Sequence, residues 1–185
     1  GEARQALELR PDWEVAALLE AQLLAQKSSA EAIKSLQRFV ERNPKAREVQ
    51  LHLARALISE KRYGDAKRQF EQLLVAYPNS PDVVYPVAIL ALQENDTALA
   101  EKQLKHLLTL DFQNKSAAHY YLGQIAEEGK RPDEAMADYR QVGPGEHYLP
   151  AQIRSAAIVA RSGKLAEARE QLRAAADNQP QLRVQ

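Results

Sequence analysis

A chain of 185 residues with 45% hydrophobic content is long enough to bury a core, and scarce glycine beside abundant alanine and leucine favours helix. Its 25 basic residues are matched by 25 acidic ones, so it lacks the basic excess with which nucleic-acid binders displace phosphate counterions, and no nucleic-acid partner is expected. No apolar run approaches bilayer length, so no membrane insertion by this segment is expected, and the absence of cysteine removes disulfides and thiolate metal sites.

The first predicted element is a helix over Glu2–Leu9 closed by Pro11, the second helix alone of a unit at about 1–12. Residues 13–46 hold two helices, the second opened by an S-x-x-E capping box of Ser28 and Glu31. Residues 47–80 repeat that arrangement. For the unit at 81–115, Asn79-Ser80-Pro81 supplies a cap and a first-turn proline, while Pro86 removes a backbone donor and predicts a kink or a late start. Within 116–148, Gly129 ends the first helix, and Gly143-Pro144-Gly145 stops the second near Val142, with a loop through about His147. That loop is read as a tolerated connection or as a contact loop exposing His147 and Tyr148. In 149–182, Gly163 ends the first helix. The segment QPQLRVQ stops where another first helix would begin, and the parent protein is expected to continue in both directions, because solenoids need polar caps at their ends.

These units are copies of one another. An alanine recurs at Ala32, Ala66, Ala100, Ala135 and Ala168, with gaps of 34, 34, 35 and 33. Four residues later stand Leu36, Phe70, Leu104, Tyr139 and Leu172, and Pro44, Pro78 and Pro180 close three of the copies. Upstream lie Leu19/Leu23, Leu53/Leu57, Val87/Ala91, Leu122/Ala126 and Ser155/Val159. Offsets of three and four are helix-face spacings, and they describe two amphipathic helices per unit that bury their apolar faces by stacking.

The pattern resembles a tetratricopeptide repeat array, most closely in YYLGQIAEEGKRPDEAMADYRQV and LARALISEKRYGDAKRQFEQLLVAYP. The resemblance implies an all-α fold, a right-handed α-solenoid of antiparallel helix pairs forming a single array over 1–185. It also implies a non-catalytic scaffold or adaptor that takes a protein or peptide partner in a concave groove lined by first helices. Carried over position by position, the groove falls to Leu51, His52, Arg55 and Ile58, then Tyr85 and Ile89, then Tyr120 and Gln124, then Arg154 and Arg161. Tyrosine and arginine anchor interfaces, and this lining suits an extended or helical apolar segment with acidic character. Of the tyrosine pair at 120 and 121, Tyr121 is expected to be the more buried. The Lys, Asn and Arg clamp with which some members grip a terminal carboxylate has no counterpart in any three consecutive units.

A narrower stretch, YRQVGPGEHYLPAQIRSAAIVARSGKLAEAREQL, is similar to long repeat proteins of Gram-negative bacteria. Those are outer-membrane lipoproteins facing the periplasm, some of which dock a carboxyl-terminal processing protease. The likeness implies a protease adaptor on the periplasmic side, with the cytoplasm as the other location and a structural or self-association module as the other function. Candidate chemistry is sparse. The histidines at 52, 106, 119 and 147 lack the spacing of a helical metal pair. Glu127-Glu128 and Asp133-Glu134 read as solvated faces or helix starts. No enzyme activity, cofactor or metal is expected.

Overall fold

The computed structural model describes residues 2–177, which form helices and turns and, among the described residues, no strand. The helices are α1 (Glu2–Leu9), α2 (Glu14–Ala25), α3 (Ser29–Arg42), α4 (Arg47–Ser59), α5 (Tyr63–Ala76), α6 (Pro81–Gln93), α7 (Thr97–Thr109), α8 (Lys115–Glu128), α9 (Pro132–Arg140), α10 (Tyr148–Arg161) and α11 (Leu165–Asp177). Pro180 and the QPQLRVQ tail lie outside the described residues. The chain divides into two compact units, Gly1–Glu94 and Asn95–Gln185. In the first, α2 pairs with α3 and α4 with α5, and the pairs stack through α3 on α4 and α5 on α6; in the second, α8 pairs with α9 and α10 with α11.

Local chemistry sets the helix starts. Ser28 accepts from the Glu31 amide (3.3 Å), Asp96 from Leu99 (3.1 Å) and Asn114 from Ala117 (3.3 Å), each satisfying a donor that the helix cannot. Pro81 and Pro132 open α6 and α9, where a missing N–H costs nothing. Ser80 precedes α6 as expected, but its hydroxyl donates to Asp82 instead of capping. α6 starts at Pro81 and runs unbroken through Pro86, so the late start is not observed. α9 ends at Arg140 and α10 begins at Tyr148, which matches the loop expected from Gly143-Pro144-Gly145.

Four of the first helices, α4, α6, α8 and α10, also end alike. Lys61, Asn95, Lys130 and Gly163 all take positive φ (59°, 58°, 56° and 87°), one residue past the helix cap. They stand in the same register as the repeat alanines, so this left-handed turn belongs to the repeat even where no glycine supplies it.

Burial follows the repeat in the middle and departs from it at two places. Ala66, Ala100 and Ala135 are 0% exposed, and Phe70, Leu104 and Tyr139, four residues on, are buried with them. Leu53 and Leu57 are buried, whereas their equivalents Leu19 and Leu23 are 48% and 50% exposed. The preceding helix α1 has eight residues and leaves that stripe of α2 in solvent. Leu172 is likewise exposed, and no described helix follows α11.

Candidate partner-binding faces

In the first unit, Arg47 fixes the two first helices that carry the predicted residues. Its Nη2 donates to both Asp82 carboxylate oxygens (2.9 Å each) and to Ser80 Oγ (2.8 Å), and its guanidinium lies 5.1 Å from the Tyr77 ring centroid. The base of α4 is thereby tied to the base of α6 by charge-assisted bonds. On these helices His52 and Arg55 are exposed, and Ile58, Tyr85 and Ile89 are half-buried. His52 Nδ1 donates to the Glu48 carbonyl (2.9 Å). Leu51 is 1% exposed and packs in the core, so it offers no surface to a ligand. Its neighbours Val49, Leu53 and Leu57 are similarly buried, which makes three sides of α4 apolar and covered.

In the second unit two of the predicted residues, Arg154 and Arg161, are held by one carboxylate. Glu127 Oε2 accepts from the buried Tyr139 hydroxyl (3.0 Å) and from Arg154 Nη1 (3.1 Å), and Oε1 accepts from Arg161 Nη2 (2.6 Å). The expectation of a solvated Glu127 is therefore corrected: its side chain is 16% exposed, while Glu128 stays in solvent. Burial acts to raise the Glu127 carboxyl, but the bonds from Arg161, Tyr139 and Arg154 outweigh it and hold the group below the usual carboxylate range. Burial first, and then the adjacent carboxylate, pushes the Tyr139 phenol far above its ordinary value, so it remains a donor.

Above this anchor lies an aromatic cluster. Tyr120 stacks on His147 with ring centroids 4.7 Å apart and 14° between planes, and Tyr121 meets both rings edge-on at 5.5 Å. Both tyrosines are half-buried, and it is Tyr120 that packs against the core around Tyr139, so the expected preference for burying Tyr121 is not observed. Gln124 Nε2 donates to the Tyr120 hydroxyl (3.3 Å). The loop after α9 is pinned by the Gly143 amide donating to Ser116 Oγ (3.0 Å) and by the His147 stack. Its exposed part is Pro144–Glu146, not His147 or Tyr148, which are half-buried. Thus Tyr120, Gln124, Arg154 and Arg161 are linked through Tyr139 and Glu127. Sequence reasoning missed that link, although Tyr139 stood at a repeat core position and supplied the signal.

Such a stack of helix hairpins with open first-helix faces is the architecture of a protein-interaction scaffold. Two tetratricopeptide repeat models match residues 23–85 and 86–145, and the chain belongs to the tetratricopeptide repeat family, whose members bind protein or peptide partners and are generally non-catalytic. Among curated proteins it is 42% identical over 69 residues to TPR repeat-containing protein PA4667 of Pseudomonas aeruginosa; that stretch is 37% of this chain and 12% of the relative's length. Among solved structures, YrrB, described as a TPR protein with an unusual peptide-binding site, superposes with a TM-score of 0.77 at 20% identity, over 97% of this chain and 93% of its own. The MamA protein gives 0.76 at 16% identity, over 89% and 90%. These likenesses establish the fold. Among the described residues, no helix is long and apolar enough to cross a membrane.

Proposed function

We propose that the chain is an adaptor that captures a segment of a partner protein on its first-helix faces. The observation that carries this reading is the composition of those faces: Tyr85, Ile89 and Ile58 half-buried beside exposed His52 and Arg55 in one unit, and Tyr120 beside Gln124 and Arg154 in the other. Half-buried aromatic and aliphatic side chains are already ordered by their neighbours, so a partner gains apolar burial with little loss of rotamer freedom. Leu51 is not part of this surface. Arg161 contributes through its exposed edge, its inner edge being held by Glu127. A partner with apolar and acidic residues suits the faces.

The resemblance of residues 139–172 to periplasmic repeat lipoproteins supports a finer reading, an adaptor that brings substrates to a carboxyl-terminal processing protease. The test is affinity capture from a Pseudomonas lysate with the chain and with Tyr85→Ala/Tyr120→Ala, both checked for helicity by circular dichroism. A partner retained by the first and lost by the folded variant is expected, and a processing protease among the retained proteins would support the finer reading. Equal capture by both would overturn the assignment to these faces. Recovery of the chain itself alone would favour a self-association module.

A further inference from the structure

The crevice between one second helix and the next unit is closed by an ion pair at two steps of the array and left open at a third. The residue after the repeat alanine is the buried Ile33 in α3, Lys67 in α5, Glu101 in α7 and Met136 in α9. Lys67 Nζ reaches Glu94 Oε2 at the end of α6 (2.5 Å). Glu101 reaches Arg131 in the turn after α8, with both carboxylate oxygens engaged (3.1 and 3.0 Å). At the third step the two partner positions are Ser162 and Lys164, and a methionine faces them. Lys164 pairs with Glu167 of α11 instead (3.6 Å). The crevice there holds a cavity of about 720 Å³ running along α9 from Pro132 to Arg140, within the range of ligand pockets.

The walls specify an occupant. Met136, Ile158 and Val159 give an apolar floor. Four cations and three anions line the cavity: Glu127 is held by Arg161 and Glu167 by Lys164, while Asp133, Lys130 and Arg140 are outside these pairs. Among the described residues, no hydrogen bond or ion pair engages the Lys130 or Arg140 side chain, so the unneutralised charge is positive. Lys130 stands in the turn before α9 and Arg140 is its last residue, and the helix between them is about 12 Å long at ~1.5 Å per residue. An extended peptide covers that span in about four residues at ~3.3 Å each.

We infer that this cavity binds a short extended peptide from a partner protein, with an apolar side chain on the Met136 floor and acidic residues on either side meeting Lys130 and Arg140. The site shares Glu127 and Arg161 with the edge of the proposed adaptor surface, but Tyr85, Ile89, Tyr120 and Gln124 do not line it. Of the two apolar residues at this repeat position, Ile33 is buried, whereas Met136 is half-buried and lines the cavity.

The probe is the acetylated, amidated peptide Asp-Ala-Leu-Ala-Asp, titrated into the full chain with methyl signals followed by NMR. Saturable shifts at Met136, Ile158 and Val159 are expected. Affinity should fall about tenfold or more for the Asn-Ala-Leu-Ala-Asn peptide and for Lys130→Ala/Arg140→Ala, as loss of charge-assisted bonds implies. Met136→Glu, which restores a charge able to reach Lys164, should abolish binding while circular dichroism stays unchanged, and Tyr85→Ala should bind like the parent chain. Equal affinity for the neutral peptide, undiminished binding by Met136→Glu, shifts confined to α4 and α6, or no shift at millimolar peptide would each overturn the proposal.

Discussion

A Cβ placed on Gly123 would stand 2.4 Å from Tyr139 Cε1 and 2.6 Å from Cδ1, so the Tyr139 ring lies in a slot that only glycine leaves open. Tyr139 is 0% exposed and its hydroxyl is bonded to Glu127, so the ring has no free space into which to retreat. The same glycine that fits the small-residue position of the repeat thus fixes the aromatic ring that presents a donor to the anchor of Arg154 and Arg161.

Gly123→Ala should therefore destabilise the chain by about 2–3 kcal/mol, as overpacking of a full core does. The gain in helix propensity, about 1 kcal/mol at most, does not offset it. Pairing it with Tyr139→Leu should recover part of the loss, since the two sites share one volume. Urea denaturation of the two single variants and the double variant measures this; strictly additive losses would show that the ring is not what the new methyl meets.

Glu101 gives the pH prediction. Hydrogen bonds from Arg131 and then Lys105 lower its carboxyl from 4.5 to about 2. A folded-state value below the unfolded one contributes stability that is present above the ordinary carboxylate range and is lost as pH falls toward about 2. Glu101→Gln should have a lower urea midpoint than the parent at pH 7, and the difference should vanish near pH 2. A difference that persists unchanged at pH 2 would assign the loss to packing rather than to charge.

Lys61 adopts φ 59° after α4, a conformation that costs an L side chain about 1 kcal/mol. Lys61→Gly should raise stability by about 0.5 kcal/mol, the relief being partly cancelled by the greater backbone entropy of glycine in the unfolded chain. Thermal unfolding would register this as a small upward shift in Tm. A downward shift would mean that the Lys61 side chain makes contacts worth more than the strain.

Two leucines at the same repeat position offer a paired test. Leu53 is 1% exposed and Leu19 is 48% exposed. Leu53→Ala should cost about 3 kcal/mol through lost burial and a residual cavity, and Leu19→Ala less than about 1 kcal/mol. Similar losses at the two sites would mean that the α2 stripe is covered in solution.

Much of this was readable from the residues. The alanine register at 32, 66, 100, 135 and 168 reports which face each helix turns inward, and Gly143-Pro144-Gly145 reports where α9 must stop. These are local signals: helix period, capping and the missing proline donor act within a few residues of chain. Leu51 shows their limit. Its position in the repeat is a surface one in the resemblance, yet it is buried, because exposure depends on which neighbours are large enough to cover it. Glu127 shows the same limit for charge. Arg154 and Arg161 lie 27 and 34 residues further on, and a carboxylate beside a turn gives no sign of which cations will meet it.

The sequence by itself determined the helix-pair repeat, its phase, its turns and the family to which the chain belongs, because stacking identical units requires the same side chains at the same helical offsets. The tertiary structure decided which members of each repeat position are covered, that Tyr139 and two arginines converge on Glu127, and that Lys67 and Glu101 bridge their crevices while Met136 lies half-buried beside a cavity. Those outcomes depend on contacts between side chains distant along the chain, set by how neighbouring helix pairs pack rather than by any one helix's own periodicity.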